Sequence, residues 1–342
     1  MNIKQFDYQL PTNLIAQYPL ENRSNSKLLV LNKNNNTIIH DKFNNIINYF
    51  NKGDILVRNN TKVLPVRLYG IKQETNAKIE VLLLKETNKD IWECLVGNAK
   101  KIKENTTIIF SDKLYAICIK VSNDGIRVLK MIYKDNFIEI LNNIGVMPLP
   151  PYIKEKLKDN NKYQTVYAKY HGSSAAPTAG LHFTNDIFDK LKEKGVIIVD
   201  ITLHVGLDTF KPLKVSNIKD HTMHSEYYQL DDINAKILQD AIDNNKRITT
   251  IGTTSTRTIE SIYNKYNCFR QCCGTTNIFI YPGYKWLVTD RIITNFHLPK
   301  STLIMMLASF TSTNMILDTY KIAITNNYRF FSFGDCMLVN NE

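Results

Sequence analysis

Between residues 70 and 133 apolar and polar positions alternate over short runs. KIEVLLLKE, IWECLVG, TTIIFSD, YAICIKVS and IRVLKMIY follow one another, separated by clusters of Asn, Asp, Lys and Gly. That spacing predicts a small antiparallel barrel or sandwich. The proline-rich MPLPP at 147–151 ends the segment and reads as an extended linker. Beyond it the period changes. Residues 185–194 predict a helix, capped by Thr184 or Asn185 and stopped by Gly195. VIIVDITLHV predicts a buried strand. Residues 232–245 predict a second helix with Ile233, Ile237, Leu238, Ala241 and Ile242 on one stripe. RITTIG is then a strand followed by a helix starting near Ser255, and the apolar run 303–308 reads as a core helix. Strands alternating with helices indicate a mixed α/β core.

A chain of 342 residues suggests two domains, and 44% hydrophobic residues allow a sizeable core. With 22% charged residues and apolar periodicity throughout, global disorder is excluded. The net charge of +11, from 43 Lys and Arg against 32 Asp and Glu, permits an acidic partner such as RNA. It does not establish one, because Lys, Asn and Ile rise together, as an AT-rich coding sequence would favour. Six cysteines, at 94, 118, 268, 272, 273 and 336, contain no CxxC pair and fit a reduced, cytoplasmic protein. The first residues, MNIKQFDYQL, lack the apolar stretch of a signal peptide, and no run is long enough to span a bilayer. No metal is expected, since no matching His or Cys pair stands at a zinc-site spacing.

Candidate chemistry concentrates late in the chain. Five of the seven histidines, His182, His204, His221, His224 and His297, stand beside Gly, Pro, Thr or Asn rather than inside an apolar stripe. Imidazole suits proton transfer near neutrality. Any one of these alone is better read as a structural hydrogen bond, while five at turn-like positions favour a functional cluster. His221-Thr-Met-His224-Ser-Glu226 could supply metal ligands, but the run HSEYYQL reads as the start of a strand with His224, Glu226 and Tyr228 on one face. Acid–base work or substrate hydrogen bonding ranks above metal there. Gly252, Thr253, Thr254 and Ser255 join a strand to a helix, where free N–H groups and hydroxyls bind anions or hydroxyls, with Arg257 adding a fixed charge. A simple cap by Thr254 or Ser255 is the plainer reading. The small-residue loop 175–182, with Thr178, allows close backbone approach to a ligand or close chain packing. No Walker A loop and no GxGxxG fingerprint occur.

Taken together, the blocks resemble a known family. They are FDYQLPTNLIAQYPLENRSNSKLLVL (6–31), GDILVRNNTKVLPVRLYG (53–70), IGVMPLPPYI (144–153), YQTVYAKYHGSSAAPTAGLHFT (163–184), TLHVGLDTFKP (202–212), HTMHSEYY (221–228), IGTTSTRTIES (251–261), IFIYPGY (278–284), TNFHLPKSTLIMMLASF (294–310) and YRFFSFGDCMLV (328–339). In this order they are similar to the S-adenosylmethionine:tRNA ribosyltransferase-isomerases of queuosine biosynthesis. Departures are Asp208 for a usual Gly, Ser174 for an apolar residue, Phe333 for Tyr, and Thr311-Ser312 for Ala-Gly.

The resemblance implies a discontinuous α/β core, 1–69 with 152–342, and an inserted barrel-like β domain at 70–151. It implies a monomeric enzyme with no metal and no resident cofactor, S-adenosylmethionine being consumed. The partner would be tRNA carrying 7-aminomethyl-7-deazaguanine at the wobble position. On this reading His182, His204, His224, Glu226 and His297 handle protons. Thr178, Gly252, Thr253, Thr254, Ser255, Arg257 and Asp335 bind substrate. Lys62, Arg67 and Arg329 are candidate phosphate contacts, with Tyr227, Tyr228, Tyr284, Trp286 and Phe331 as candidate stacking partners for a splayed base. Three other readings were weighed: a metal-dependent hydrolase on His221, His224 and Glu226, a non-catalytic RNA-binding module, and an ordinary methyltransferase.

Overall fold

The computed structural model describes residues 1–122, 125–155, 157, 159–206, 213 and 215–341. The chain forms two compact units. One comprises Met1–Lys62, Pro151–Tyr170 and Ala176–Glu342, the other Val63–Pro150 and His171–Ala175.

In chain order the strands of the first segments are β1 (Lys27–Asn32), β2 (Thr37–Lys42), β3 (Ile55–Asn59) and β4 (Thr61–Val63). The smaller unit carries β5 (Arg67–Lys72), β6 (Lys78–Asn88), β7 (Ile91–Val96), β8 (Thr107–Ser111), β9 (Leu114–Val121) and β10 (Ile126–Tyr133), then α1 (Phe137–Ile144). After β11 (Tyr170–Ser173) come α2 (Asn185–Glu193), β12 (Ile197–Leu203), β13 (Glu226–Leu230), α3 (Asp232–Asp243), β14 (Ile248–Ile251) and α4 (Gly252–Tyr266). The chain ends with β15 (Cys272–Thr276), β16 (Arg291–Asn295), α5 (Thr302–Phe310), α6 (Thr313–Thr325) and β17 (Cys336–Asn340).

Strands β5–β10 close into an antiparallel barrel in the order β10-β7-β6-β5-β8-β9. Its interior follows the period-2 pattern, with Leu68, Val81, Leu83, Cys94, Ile108, Ala116 and Leu129 buried. Closure between β5 and β8 depends on Gly70, where a Cβ would lie 2.6 Å from the Ile109 carbonyl oxygen. Arg127 is buried and satisfied entirely by backbone carbonyls of Ala99, Ile102, Ser122 and Ile126.

The larger unit is built, among the described residues, on a nine-stranded sheet ordered β15-β13-β12-β3-β14-β16-β17-β1-β2. Its centre, β12-β3-β14-β16, is parallel, and β3, β14 and β16 are buried almost throughout, as a doubly covered sheet requires, although Thr249, Thr250, Arg291, Thr294 and Asn295 are polar. The flanks mix directions: β13 and β15 are antiparallel on one side, β17 opposes β16, and β1 lies parallel to β17. α2 carries Ile187, Phe188 and Leu191 into one apolar layer, and Thr184 caps it by accepting from Ile187 N. α5 places Ile304, Met305 and Leu307 in the other layer.

The α/β core and the antiparallel barrel match the expected fold class. Three local expectations shift. α4 begins at Gly252, not near Ser255, because Gly252 adopts φ +81 and turns the chain directly into the helix. Ile233 is exposed on α3, where Ala235, Leu238 and Ala241 form the buried stripe instead. Thr311 and Ser312 stand between α5 and α6, and Ser312 caps α6 by accepting from Met315 N. Asp208 lies outside the described residues.

Candidate active site

The polar residues gather at one edge of the parallel sheet. Past the carboxyl end of β3 stands Thr61, past β12 His204 and Val205, past β14 Gly252 and Thr253, and past β16 His297. β13 runs antiparallel to β12, so its first residue, Glu226, and the preceding His224 arrive at the same edge. In parallel sheets this is where strand ends diverge and leave room for a ligand. A solvent-open cleft occupies the position. Thr178, Gly252, Thr253, Thr254, Asn295, His297, Tyr152 and Phe331 line it. Phe331 holds φ +70, an uncommon conformation for a bulky residue, which fixes its ring on the cleft wall.

Glu226 is buried and accepts from Arg257 Nη1 at 2.5 Å, with His224 Nε2 3.2 Å and Gly206 N 3.3 Å from its other oxygen. Burial would raise its carboxyl, but Arg257 and His224 more than offset that and hold it below the usual range. Arg257 is itself buried, and its Nη2 has no hydrogen-bond acceptor. His204 bonds through Nδ1 to Thr61 Oγ1 at 2.9 Å, and its ring stacks on that of Tyr227 at 5.7 Å. Partial burial lowers its pKa.

His182 and His297 have drier surroundings. Asn295 Nδ2 lies 3.0 Å from His182 Nε2, so Nε2 accepts and the proton on Nδ1 is given to Ser26 Oγ at 2.8 Å. Asn295 Oδ1 in turn accepts from Thr178 Oγ1 at 3.2 Å, which links His182 to the cleft wall. Burial, reinforced by the charges of Arg329 and Arg23, pushes His182 down to about 3. Burial alone takes His297 to about 3; its Nε2 bonds Thr294 Oγ1 at 2.8 Å and its carbonyl accepts from Tyr8.

α4 starts without a side-chain cap, and the hydroxyls of Thr254 and Ser255 are buried with no partner. Thr254 faces the cleft, while Ser255 and Arg257 lie outside its lining. The remaining candidates are elsewhere. Asp335 is buried and braces backbone, accepting from Lys27 N at 2.9 Å and Arg329 N at 2.7 Å. Arg329 lines a separate hollow. Lys62 is half-buried at the end of its segment, and Arg67 belongs to the barrel, 3.5 Å from Glu80. Tyr228 is fully buried; Tyr284 donates to Glu260 and Trp286 to the Ser309 carbonyl. His221 packs edge-on against Phe279, and among the described residues no three His, Cys, Asp or Glu side chains are placed to hold a metal ion.

Several organising residues gave little sequence signal. Ser26 and Asn295 flank His182 from distant segments. Glu260, fully buried on α4, accepts from Tyr284 Oη, Thr289 Oγ1 and the N–H groups of Leu287, Val288 and Thr289. A glutamate mid-helix looks solvated in the sequence; only the buried residues on every side of it in α4 hinted otherwise.

An α/β core whose parallel strands end in a cleft lined by His, Thr and Asn, with a buried Glu–Arg pair beside it, defines an enzyme fold with an inserted barrel. A family model described as queuosine biosynthesis protein matches residues 3–339. Relatives from Staphylococcus haemolyticus and Staphylococcus epidermidis, both named S-adenosylmethionine:tRNA ribosyltransferase-isomerase, are each 51% identical over 340 residues, covering 99% of this chain and 100% of theirs. A crystal structure of a Thermotoga maritima S-adenosylmethionine tRNA ribosyltransferase is 35% identical, covers 98% of this chain and 99% of its own, and superposes with a TM-score of 0.57. The chain belongs to the queuosine biosynthesis family and is an enzyme of the ribosyltransferase-isomerase class.

Proposed function

We propose that this enzyme transfers the ribosyl part of S-adenosylmethionine to the aminomethyl nitrogen of 7-aminomethyl-7-deazaguanine in the wobble position of tRNA. The transferred sugar rearranges to an epoxycyclopentanediol, giving epoxyqueuosine. Three bonds form, one from a sugar carbon to the amine nitrogen, one carbon–carbon bond that closes the cyclopentane and one carbon–oxygen bond of the epoxide; three break, those from the sugar to adenine and to the methionine sulfur and one carbon–oxygen bond of the ribose ring. Adenine leaves with a proton and methionine leaves as the neutral sulfide. No resident cofactor or metal is needed, since the sulfonium itself supplies the activation, and the enzyme works as a cytoplasmic monomer.

Three proton movements follow from that stoichiometry: off the carbon beside the sulfonium, onto departing adenine, and off the attacking amine. The observation that carries the reading is the His224–Glu226–Arg257 group at the sheet edge, in a chain half identical to ribosyltransferase-isomerases over its whole length. His224, partly exposed, stands 3.2 Å from Glu226 and is the first candidate for acid–base work. His204 is the second candidate for proton transfer, while His182 and His297, bonded to Ser26, Asn295 and Thr294, hold the geometry of the site. The uncapped start of α4, Gly252 to Thr254 with Thr178 opposite, suits ribose hydroxyls or the methionine carboxylate. Ser255 and Arg257 support that turn from behind, and Asp335 holds the turn that carries Phe331.

The direct test incubates purified enzyme with S-adenosylmethionine and tRNA bearing the aminomethyl base, following adenine release and the mass of the digested nucleoside. Stoichiometric adenine and a nucleoside carrying the rearranged ribosyl unit are expected. A methylated nucleoside, or no adenine from folded protein that still binds the tRNA, would reject the proposal.

A further inference from the structure

Besides the cleft, the larger unit holds a second, small and solvent-open hollow. Arg23, Lys162 and Arg329 line it together with Ser26, His182 and Ser332, and no lining residue is acidic. The three cations come from separate segments, yet among the described residues none forms an ion pair with a carboxylate there. Arg23 donates to the carbonyls of Gln164 and Asn161, Lys162 to that of Glu21, and Arg329 to those of Tyr18 and Phe333. Carbonyl dipoles position these groups without neutralising them. Arg329 Nε is buried and has no acceptor at all.

The carboxylates whose charge acts on the two guanidiniums, Asp159 and Asp335, are bonded to backbone N–H groups. Asp159 caps the turn at Asn161, and Asp335 accepts through both oxygens. They only partly offset the desolvation that lowers the pKa of Arg23 and Arg329. The same two charges reach His182 and help keep it neutral. Half-buried like charges with unused donors are costly unless a counter-charge completes them. Guanidinium forks match the oxygens of phosphate and carboxylate.

We infer that this hollow is an oxyanion site, built from Arg23, Lys162 and Arg329, that receives an anionic group of one of the enzyme's substrates. Under the proposed function, on which this inference rests for its ligands, that group is either a phosphodiester of the tRNA or the carboxylate of S-adenosylmethionine. The hollow adjoins the cleft. Ser332 lines both, with its hydroxyl 2.6 Å from Tyr152 Oη, and His182 on one side is bonded through Asn295 to Thr178 on the other. A substrate engaging both would be fixed at two points.

Inorganic phosphate is the first probe. At matched ionic strength it should raise the wild-type melting midpoint above that in chloride, and Arg23→Gln and Lys162→Gln should lose the increment. Lys162→Gln guards against misfolding, since its ammonium holds only one carbonyl. Substrate measurements then separate the sources. If the anion is a phosphodiester, Lys162→Gln weakens tRNA binding about tenfold, flattens its logarithmic salt slope by about 1, and leaves the KM for S-adenosylmethionine unchanged. If it is the carboxylate, that KM rises and tRNA binding is untouched. The inference is overturned if phosphate gives the wild type no increment over chloride, or if folded variants keep it. A phosphate increment that the variants lose, in an enzyme that releases no adenine, would reject the proposed function and leave the site standing.

Discussion

Two histidine pairs border the same sheet edge in opposite surroundings. His182 and His297 are buried, hydrogen-bonded to neutral partners and pushed to about 3, so both are uncharged at neutral pH. His204 and His224 keep contact with solvent, and His224 stands against a carboxylate held ionised by Arg257. Both pairs would look alike as a clustered set of imidazoles. Their environments differ, one pair enclosed among neutral partners and the other open to solvent, and under the proposed function only the open pair would exchange protons.

The sharpest way to break that contrast is to remove the carboxylate. Glu226→Ala leaves Arg257 buried and unpaired, which should cost about 3–5 kcal/mol in stability. Activity should fall further than for any single histidine variant; denaturant midpoints and adenine release report the two effects. Next, His224→Ala should reduce kcat about 10²–10⁴-fold while barely moving the melting midpoint. His182→Ala should show the reverse bias, with a clear loss of about 1–3 kcal/mol, because Ser26 and Asn295 lose their partner inside the protein. Equal stability losses in the two variants would erase the distinction.

Acid provides a third test. A histidine held neutral by burial binds fewer protons folded than unfolded. Its contribution is therefore complete above about pH 6.5 and is lost as pH falls toward 3. Stability should drop by up to roughly 1.4 kcal/mol per pH unit for each of His182 and His297 across that window. His182→Asn should flatten the slope. The smallest effect expected is in Ser312→Ala, about 1 kcal/mol from the lost cap of α6, read as a small fall in melting midpoint with normal turnover.

Legibility in the sequence followed the range of the forces involved. α2 was readable because its cap, stripe and stop are local, and Thr184 caps it as expected. The alternation that put His224, Glu226 and Tyr228 on one face also held, with Glu226 and Tyr228 buried on β13. The start of α4 was misplaced because a positive φ at Gly252 competes with an ordinary hydroxyl cap, and the choice is made by tertiary packing. Ile233 satisfied the helical period yet faces water, since a period cannot say where a stripe ends. Ser26, Asn295 and the Glu260 cradle were invisible for a deeper reason. Their bonds span 156, 113 and up to 29 residues, and no local pattern encodes them.

The position of β17 bears on how the protein is made. The last strand of the chain does not close an edge; it is wedged between β16 and β1, so the amino-terminal hairpin of β1 and β2 joins the sheet only through it. Residues 27–42 leave the ribosome early and must wait for residues 336–340 before their apolar face, including Leu29 and Leu31, has a sheet to join. Until residues 336–340 have emerged, the larger unit stays open down its middle. A chain lacking β17 would lose more than one strand. It would be left with two exposed strand edges and a split core, the kind of product that chaperones hold and proteases clear.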